Sequence, residues 1–499
     1  MVELDGHLTP ADAEAIILDG SPVSLAASAQ AKVEVSHRAL LSILARGNPV
    51  YGVNTGFGAL STVRVSETDL ARLQLNIVRS HATGVGCSLP DPLVRGMLLF
   101  RLNSFLQGAS GIRPALVEIL VGILNAGVCP LVPEQGSVGS SGDLVPLAHL
   151  ALPLLGEGQA RFRGEELAGD EALRRAGLTP LAELAPKEGL ALLNGTAYML
   201  SHLFLGWTHG WRALRAGLAV AALSFQALRG HVEALDRRIH AARPHPGQVQ
   251  VAAWLRELLA ESALTDSRRN DVQDPYSLRC LPQLVGPVVE TLWAVEGRLR
   301  VEMNAATDNP LILPDGGGTA LAGGNFHGEV LAFVAEWLGI ALAELGATCE
   351  RRINLLLTAT ERGLPPFLSP DPGLCSGLML LQYTAAALAA ENKVLAHPAA
   401  VDSIPTSGGK EDHNAMGATS GWKALRIAEN VLSQVALEGV CARWAVALAG
   451  EEDLSPATRP AYSVLTELVP SPGEDRYLGD AIERVRHAVR EGRIGFHGL

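Results

Sequence analysis

The chain has 499 residues, 48% of them hydrophobic, and its 52 acidic against 40 basic side chains give a net charge of −12. That length allows one very large domain or two to four ordinary ones. The acidic balance repels polyanions and so disfavours nucleic acid as a partner.

The first residues, MVELDGHLTPADAEAI, lack the basic start and apolar stretch of a signal peptide. Ala11 to Leu18 and Glu34 to Arg46 read as helices. The segment YGVNTGFGAL, Tyr51 to Leu60, holds three glycines and reads as a loop. Helical periodicity returns over Leu93 to Leu106, and from Pro114 onward long helices dominate. Gly328 to Thr358 and Glu411 to Leu448 keep apolar and small residues at helical spacing. The uncharged stretch Gly373 to Ala390 approaches membrane-span length, but its Ser376, Gln382 and Tyr383 favour a buried core helix. Loops rich in Gly, Pro, Asn and Asp separate these helices, at Val132 to Asp143, Thr307 to Phe326 and Ser403 to Lys410. A helical scaffold with such loops puts chemistry on the loops.

A mean hydropathy of +0.20 with only 5% aromatics points to closely packed Leu, Ala and Val helices, with further burial between subunits. The six cysteines show no Cys-x-x-Cys spacing, so reduced thiols in a cytoplasm are expected. Fourteen histidines form no compact ligand pattern, and neither HExxH nor GxSxG occurs, so no metal site is expected.

GSVGSSGDLVPLAH, Gly136 to His149, lacks the lysine of a phosphate loop. Two readings remain. In the plainer one it is a flexible loop with Asp143 as the N-cap of the helix that follows. In the other, the Gly142 amide nitrogen attacks the Ser140 carbonyl carbon in a tight turn that only glycine permits. One water is lost as the five-membered ring closes. A second, from the Ser141 side chain, leaves a methylidene-imidazolone (MIO), an electrophile made with no external cofactor.

The stretch resembles the signature of the histidine and phenylalanine ammonia-lyase family, G-S-V-G-A-S-G-D-L-x-P-L-A-H, departing only at Ser140, where alanine is usual. Further matches occur in order: YGVNTGFG from Tyr51, SHATGVG from Ser80, LNGT from Leu193, QDPYSLRC from Gln273, DNP from Asp308, GGNFHGE from Gly323 and EDH from Glu411. The resemblance implies an all-α fold, a long-helix bundle of the aromatic amino acid lyase type with a homotetrameric core. It implies a smaller mixed N-terminal region over 1–110, a lyase domain over 111–499, and active sites built from three chains.

The implied reaction eliminates ammonia from an aromatic amino acid, with MIO formed from Ser140, Ser141 and Gly142 capturing the amine. Tyr51 is then the base that removes the β-proton, and Tyr276 a second proton-handling or orienting hydroxyl. Arg279 pairs with the substrate carboxylate, Asn194 and Gln273 donate amide hydrogen bonds, and Phe326 walls the ring. His81 and Glu411 match the histidine-specific members, since a carboxylate accepts an imidazole N–H that phenyl lacks. The implied substrate is therefore L-histidine and the product trans-urocanate, with no membrane or nucleic acid partner. The alternative is a lyase or 2,3-aminomutase acting on tyrosine or phenylalanine. Gly409-Lys410 before Glu411, Asn414-Ala415 after it and Cys441 to Trp444 depart from the usual histidine-type residues and mark a divergent subgroup.

Overall fold

The structure is a computed structural model that describes residues 1–267 and 272–496. The described residues form eighteen α-helices and only short strands, as an all-α fold requires. The first nine helices are α1 (Pro10–Ile17), α2 (Ala27–Ala45), α3 (Leu70–His81), α4 (Asp91–Phe105), α5 (Pro114–Ala126), α6 (Leu144–Ala151), α7 (Gly169–Arg175), α8 (Glu188–Leu193) and α9 (Ala197–Ala227). The rest are α10 (Arg237–Ala242), α11 (Pro246–Leu258), α12 (Tyr276–Arg279), α13 (Leu281–Glu302), α14 (Glu329–Thr358), α15 (Met379–Leu395), α16 (Gly417–Ala449), α17 (Arg459–Leu468) and α18 (Gly479–Arg490).

The chain divides into two compact units. One comprises Met1–Leu205, Glu296–Ala335 and Pro398–Trp422. The other comprises Gly206–Val295, Glu336–His397 and Lys423–Leu499.

The first unit carries the strands and the loops that matter below. Its α1 begins where Thr9 and Asp12 form a reciprocal capping box with Pro10 in the first turn. Four small sheets tie the loops to the helices, among them the antiparallel hairpin Leu311–Leu313 with Thr319–Leu321. That hairpin packs on α2. There Ala39, Leu40, Ile43 and Ile312 form a buried cluster with Val50 and Val53, the anchors of the glycine-rich loop. Helices α3, α6 and α8 pack against one another. Gln74 of α3 is fully buried between them. Its amide donates to Gly52 O at 3.1 Å and its carbonyl accepts from Leu190 N at 3.1 Å.

In the second unit, Arg352 of α14 and Glu438 of α16 form a buried ion pair at 2.7 Å. Buried charges need such partners because an unpaired one costs several kcal/mol or more. Helices α14 and α16 are long and apolar enough to cross a membrane, but 56% and 83% of their apolar stretches are buried within the protein. On α14 the apolar stripe Val330, Phe333, Trp337 and Ile340 stays exposed.

Several elements differ from expectation. α2 starts at Ala27 instead of Glu34, and α16 starts at Gly417 instead of Glu411. Residue Met416 has φ +53°, and Thr406 N bonds Glu411 O at 2.9 Å, so Glu411 closes a loop before the helix begins. The helix expected over Gly373 to Ala390 forms over only part of that stretch and is mostly not buried within the chain. Gly373 and Gly377 turn the chain with positive φ. The helix starts at Met379, and only its Ala385 and Asn392 are buried.

Candidate active site

The glycine-rich loop is ordered by its own polar groups. Asn54 Oδ1 accepts from Val50 N at 2.7 Å, Thr55 Oγ1 from Gly52 N at 3.1 Å, and the Tyr51 hydroxyl from Gly58 N at 3.1 Å. Gly52 sits at φ +64°, and an added Cβ would overlap Leu190. The loop thus lies directly on α8, with Tyr51 facing a cavity of about 380 Å³. His81, Ser141, Asn194, Phe326 and Glu411 line the same cavity.

The turn Ser140-Ser141-Gly142 is pressed against Gly195. Gly142 has φ +80°, and an added Cβ would overlap the Gly195 backbone. Asp143 N donates to Gly195 O at 2.7 Å, and Asn194 Nδ2 donates to Ser141 O at 2.6 Å. Asp143 sits at the N-cap position of α6, as the plainer sequence reading expected, but its side chain makes no capping bond to that helix. Its Oδ2 accepts from Tyr198 N and Met199 N at 3.0 Å each, in the first turn of α9, and its Oδ1 accepts from Ser137 Oγ at 2.8 Å. Full burial pushes its carboxyl up to about 7 against those hydrogen bonds.

Arg101 of α4 lies on the other side of Asn194. Its Nη1 donates to Asn194 O at 2.6 Å and its Nη2 to Ser104 Oγ at 2.8 Å. The guanidinium is stacked on Phe105, and burial brings it down to about 10, so it remains charged at neutral pH. Next to it, Lys187 and Asp308 form a fully buried pair at 2.7 Å.

Glu411 gathers hydroxyls. Its Oε2 accepts from Ser140 Oγ at 3.0 Å and from Thr406 Oγ1 at 2.6 Å, and its Oε1 accepts from Ser141 Oγ. Burial raises its carboxyl, but the hydroxyls of Ser141, Thr406 and Ser140, with His81, prevail and hold it below its ordinary value. Burial lowers the His81 imidazole, against weaker raising effects from Ile77 and Glu411, and the ring bonds Ser80 Oγ at 3.0 Å through Nδ1. One cavity therefore holds a phenol, an imidazole biased toward neutrality and a carboxylate biased toward ionisation, beside the serine turn. That set can move protons and hold a nitrogen heterocycle.

The remaining sequence candidates are not in this cavity, whose lining contains no arginine or lysine. Gln273 and Arg279 line a separate cavity of about 290 Å³ in the second unit. Tyr276 is 66% exposed, with the Arg279 guanidinium 4.6 Å above its ring. Sequence reasoning missed Arg101, Gln74 and Thr406. The signal for Arg101 was a lone charge in the apolar run MLLFRLNSF, which had to find a buried partner.

The sequence profile of the aromatic amino acid lyase family matches residues 8–467. Over 503 aligned residues, 99% of either chain, the sequence is 47% identical to a histidine ammonia-lyase of Geobacillus thermodenitrificans (strain NG80-2). A histidine ammonia-lyase from Trypanosoma cruzi superposes with a TM-score of 0.92 at 38% identity, covering 99% of this chain and 94% of that one. A tyrosine aminomutase from Streptomyces globisporus superposes with a TM-score of 0.94 at 37% identity, covering 99% and 97%. The match across residues 8–467 places the chain in the aromatic amino acid lyase family.

Proposed function

We propose that the chain is a histidine ammonia-lyase, converting L-histidine to trans-urocanate and ammonia. The observation that carries this reading is the meeting of His81, Glu411 and Ser141 in one cavity. A neutral imidazole and an ionised carboxylate suit the two ring nitrogens of the substrate and have no use for a phenyl ring.

The residues present fit a methylidene-imidazolone at Ser140-Ser141-Gly142. Position 142 tolerates no side chain, and Asn194 already donates to the Ser141 carbonyl, where it also holds that oxygen against developing charge. When formed, the group supplies an electrophile that turns the substrate amine into a leaving group. The protein's own groups do the rest. Tyr51 takes the β-proton, and Phe326 walls the ring. Leu190 and Ile77 supply apolar lining that excludes water from the reacting atoms.

Arg279, Tyr276 and Gln273 complete the site from other subunits of a homotetramer, with Arg279 clamping the substrate carboxylate. The absence of a cation in the cavity lining and the exposed apolar stripe of α14 support that assembly. All six cysteines are free, which suits a cytoplasmic enzyme.

The test is incubation of purified protein with L-histidine and no added cofactor, following urocanate by ultraviolet absorbance together with free ammonia. Their joint appearance is the expected result, and the absence of both would overturn the substrate. The likeness to a tyrosine aminomutase keeps a second reading. A β-amino acid formed from tyrosine without ammonia release would establish it.

A further inference from the structure

Ser140 stands where alanine is usual in the resembled signature, and its side chain makes a specific contact. The residue is 7% exposed, and its Oγ donates to Glu411 Oε2 at 3.0 Å. Thr406 Oγ1 donates to the same oxygen at 2.6 Å. The other oxygen, Oε1, takes the hydroxyl of Ser141.

Maturation treats the two serines differently. Bond formation between the Gly142 nitrogen and the Ser140 carbonyl carbon, with a double bond from that carbon to the Ser141 nitrogen, releases the carbonyl oxygen as one water that carries the hydrogens of the Gly142 and Ser141 N–H groups. The Ser141 Oγ leaves as the second, taking the Cα hydrogen and leaving the methylidene. Ser140 Oγ takes no part and stays. Glu411 then keeps two donors on Oε2 and loses the Ser141 donor from Oε1.

We propose that Ser140 is a positioning residue for Glu411. Its hydroxyl, with that of Thr406, fixes Oε2 and leaves Oε1 to receive a ring N–H of the substrate, so Ser140 strengthens the preference for imidazole over phenyl. The proposal rests on the reading of Glu411 as the partner of the substrate imidazole. The physical basis is the soft last torsion of a glutamate, which is broad and nearly two-fold. One donor on a carboxylate leaves it free to swing, whereas two donors on one oxygen fix which oxygen faces the cavity. Alanine at 140 removes one of them without adding bulk.

The experiment uses Ser140→Ala, Glu411→Gln and the double variant, read in two ways. In the mature enzyme, Ser140→Ala keeps the near-ultraviolet absorbance of the cyclised group and raises KM for L-histidine roughly three- to tenfold, with a smaller change in kcat. In a Ser141→Ala background, where no ring forms and histidine is not consumed, calorimetry reads L-histidine binding directly. There Ser140→Ala weakens binding by a similar factor, and the loss vanishes once Glu411 is already Gln, because the two residues act through one contact. Unchanged binding and KM in Ser140→Ala, with a clear loss in Glu411→Gln, would overturn the proposal alone. No loss in either variant would overturn it together with the reading of Glu411. Loss of the absorbance with binding intact would assign Ser140 to ring closure and overturn it as well.

Discussion

Asp143 accepts the backbone N–H of Met199 at 3.0 Å across 56 residues of sequence. The residue that follows the serine-glycine turn thereby caps the first turn of α9, satisfying donors that the helix cannot satisfy itself. Because Asp143 N also bonds Gly195 O, the turn is held from two directions. This carboxyl titrates near 7 in the fold, against an ordinary value of 3.8. A folded-state value above the unfolded one gives stability that is complete below the unfolded value. That stability is lost as pH rises through the folded value. Asp143→Asn should therefore flatten the fall in Tm between about pH 4 and about pH 7, because an uncharged amide still accepts both N–H groups. Calorimetry across that range checks it, and an unchanged slope would show that other groups set the pH dependence.

Gly195→Ala should be among the most damaging small changes in the chain. Its φ is +155°, and an added Cβ would overlap Arg101 Nη1, with Thr307 Oγ1 at 2.9 Å on the other side. Arg101 has no room to retreat, being 1% exposed. The expected cost is about 3 kcal/mol or more from overpacking and backbone strain, with a parallel loss of the cyclised group as Asn194 is displaced. Gly297→Ala is the control. It sits inside α13 with nothing within 4 Å of an added Cβ, and should be neutral or stabilising by up to about 1 kcal/mol. Chemical denaturation of both variants gives the comparison.

Tyr51, His81, Asn194, Phe326 and Glu411 are each embedded in a local peptide pattern, and the fold brings all of them to the cavity that Ser141 lines. The long helices were legible from apolar spacing, because burial follows periodicity within one element. Arg101 and Gln74 were not, since their roles are set by partners 93 and 116 residues away and nothing next to them in sequence records it. The side chain of Asp143 was not legible for the same reason: the residue stands at the N-cap of α6, but its carboxylate serves α9. The start of α16 was misplaced because Glu411 has ordinary helical neighbours in sequence, while its carboxylate is claimed by Thr406 and the serine turn.

His81 and Glu411 should give the site its response to acid. The imidazole lies below its ordinary 6.5 through burial. A histidine whose folded value is depressed favours the fold above the unfolded value and loses that contribution as pH falls below it. His81→Gln should therefore lessen the drop in Tm as pH is lowered from 6.5, and an unaltered drop would remove His81 from the account. The carboxylate of Glu411, held below its ordinary 4.5, stays ionised through the same window. Glu411→Gln should accordingly lower kcat/KM for L-histidine roughly ten- to a hundredfold at neutral pH, the range of a charge-assisted hydrogen bond. Turnover of phenylalanine should fall less. Equal losses on the two substrates would end its role in specificity.

Arg279 is not among the residues that line the Ser141 cavity, and this gives the sharpest test of the assembly. Arg279→Ala should leave the cyclised group intact and cost on the order of 2–5 kcal/mol in kcat/KM, the range for breaking a desolvated charge pair. Ser141→Ala should abolish activity by preventing ring formation. If one chain supplies the serine turn and another the guanidinium, Ser141→Ala alone is inactive and Arg279→Ala alone is strongly impaired, yet a mixed tetramer contains sites with both groups intact. Co-expression of the two variants with different affinity tags, followed by tandem purification of the hybrids, should restore a measurable fraction of wild-type turnover. Sedimentation of the same sample reports whether the hybrids are tetramers. Hybrids that form and remain inactive would mean that both residues act within one chain.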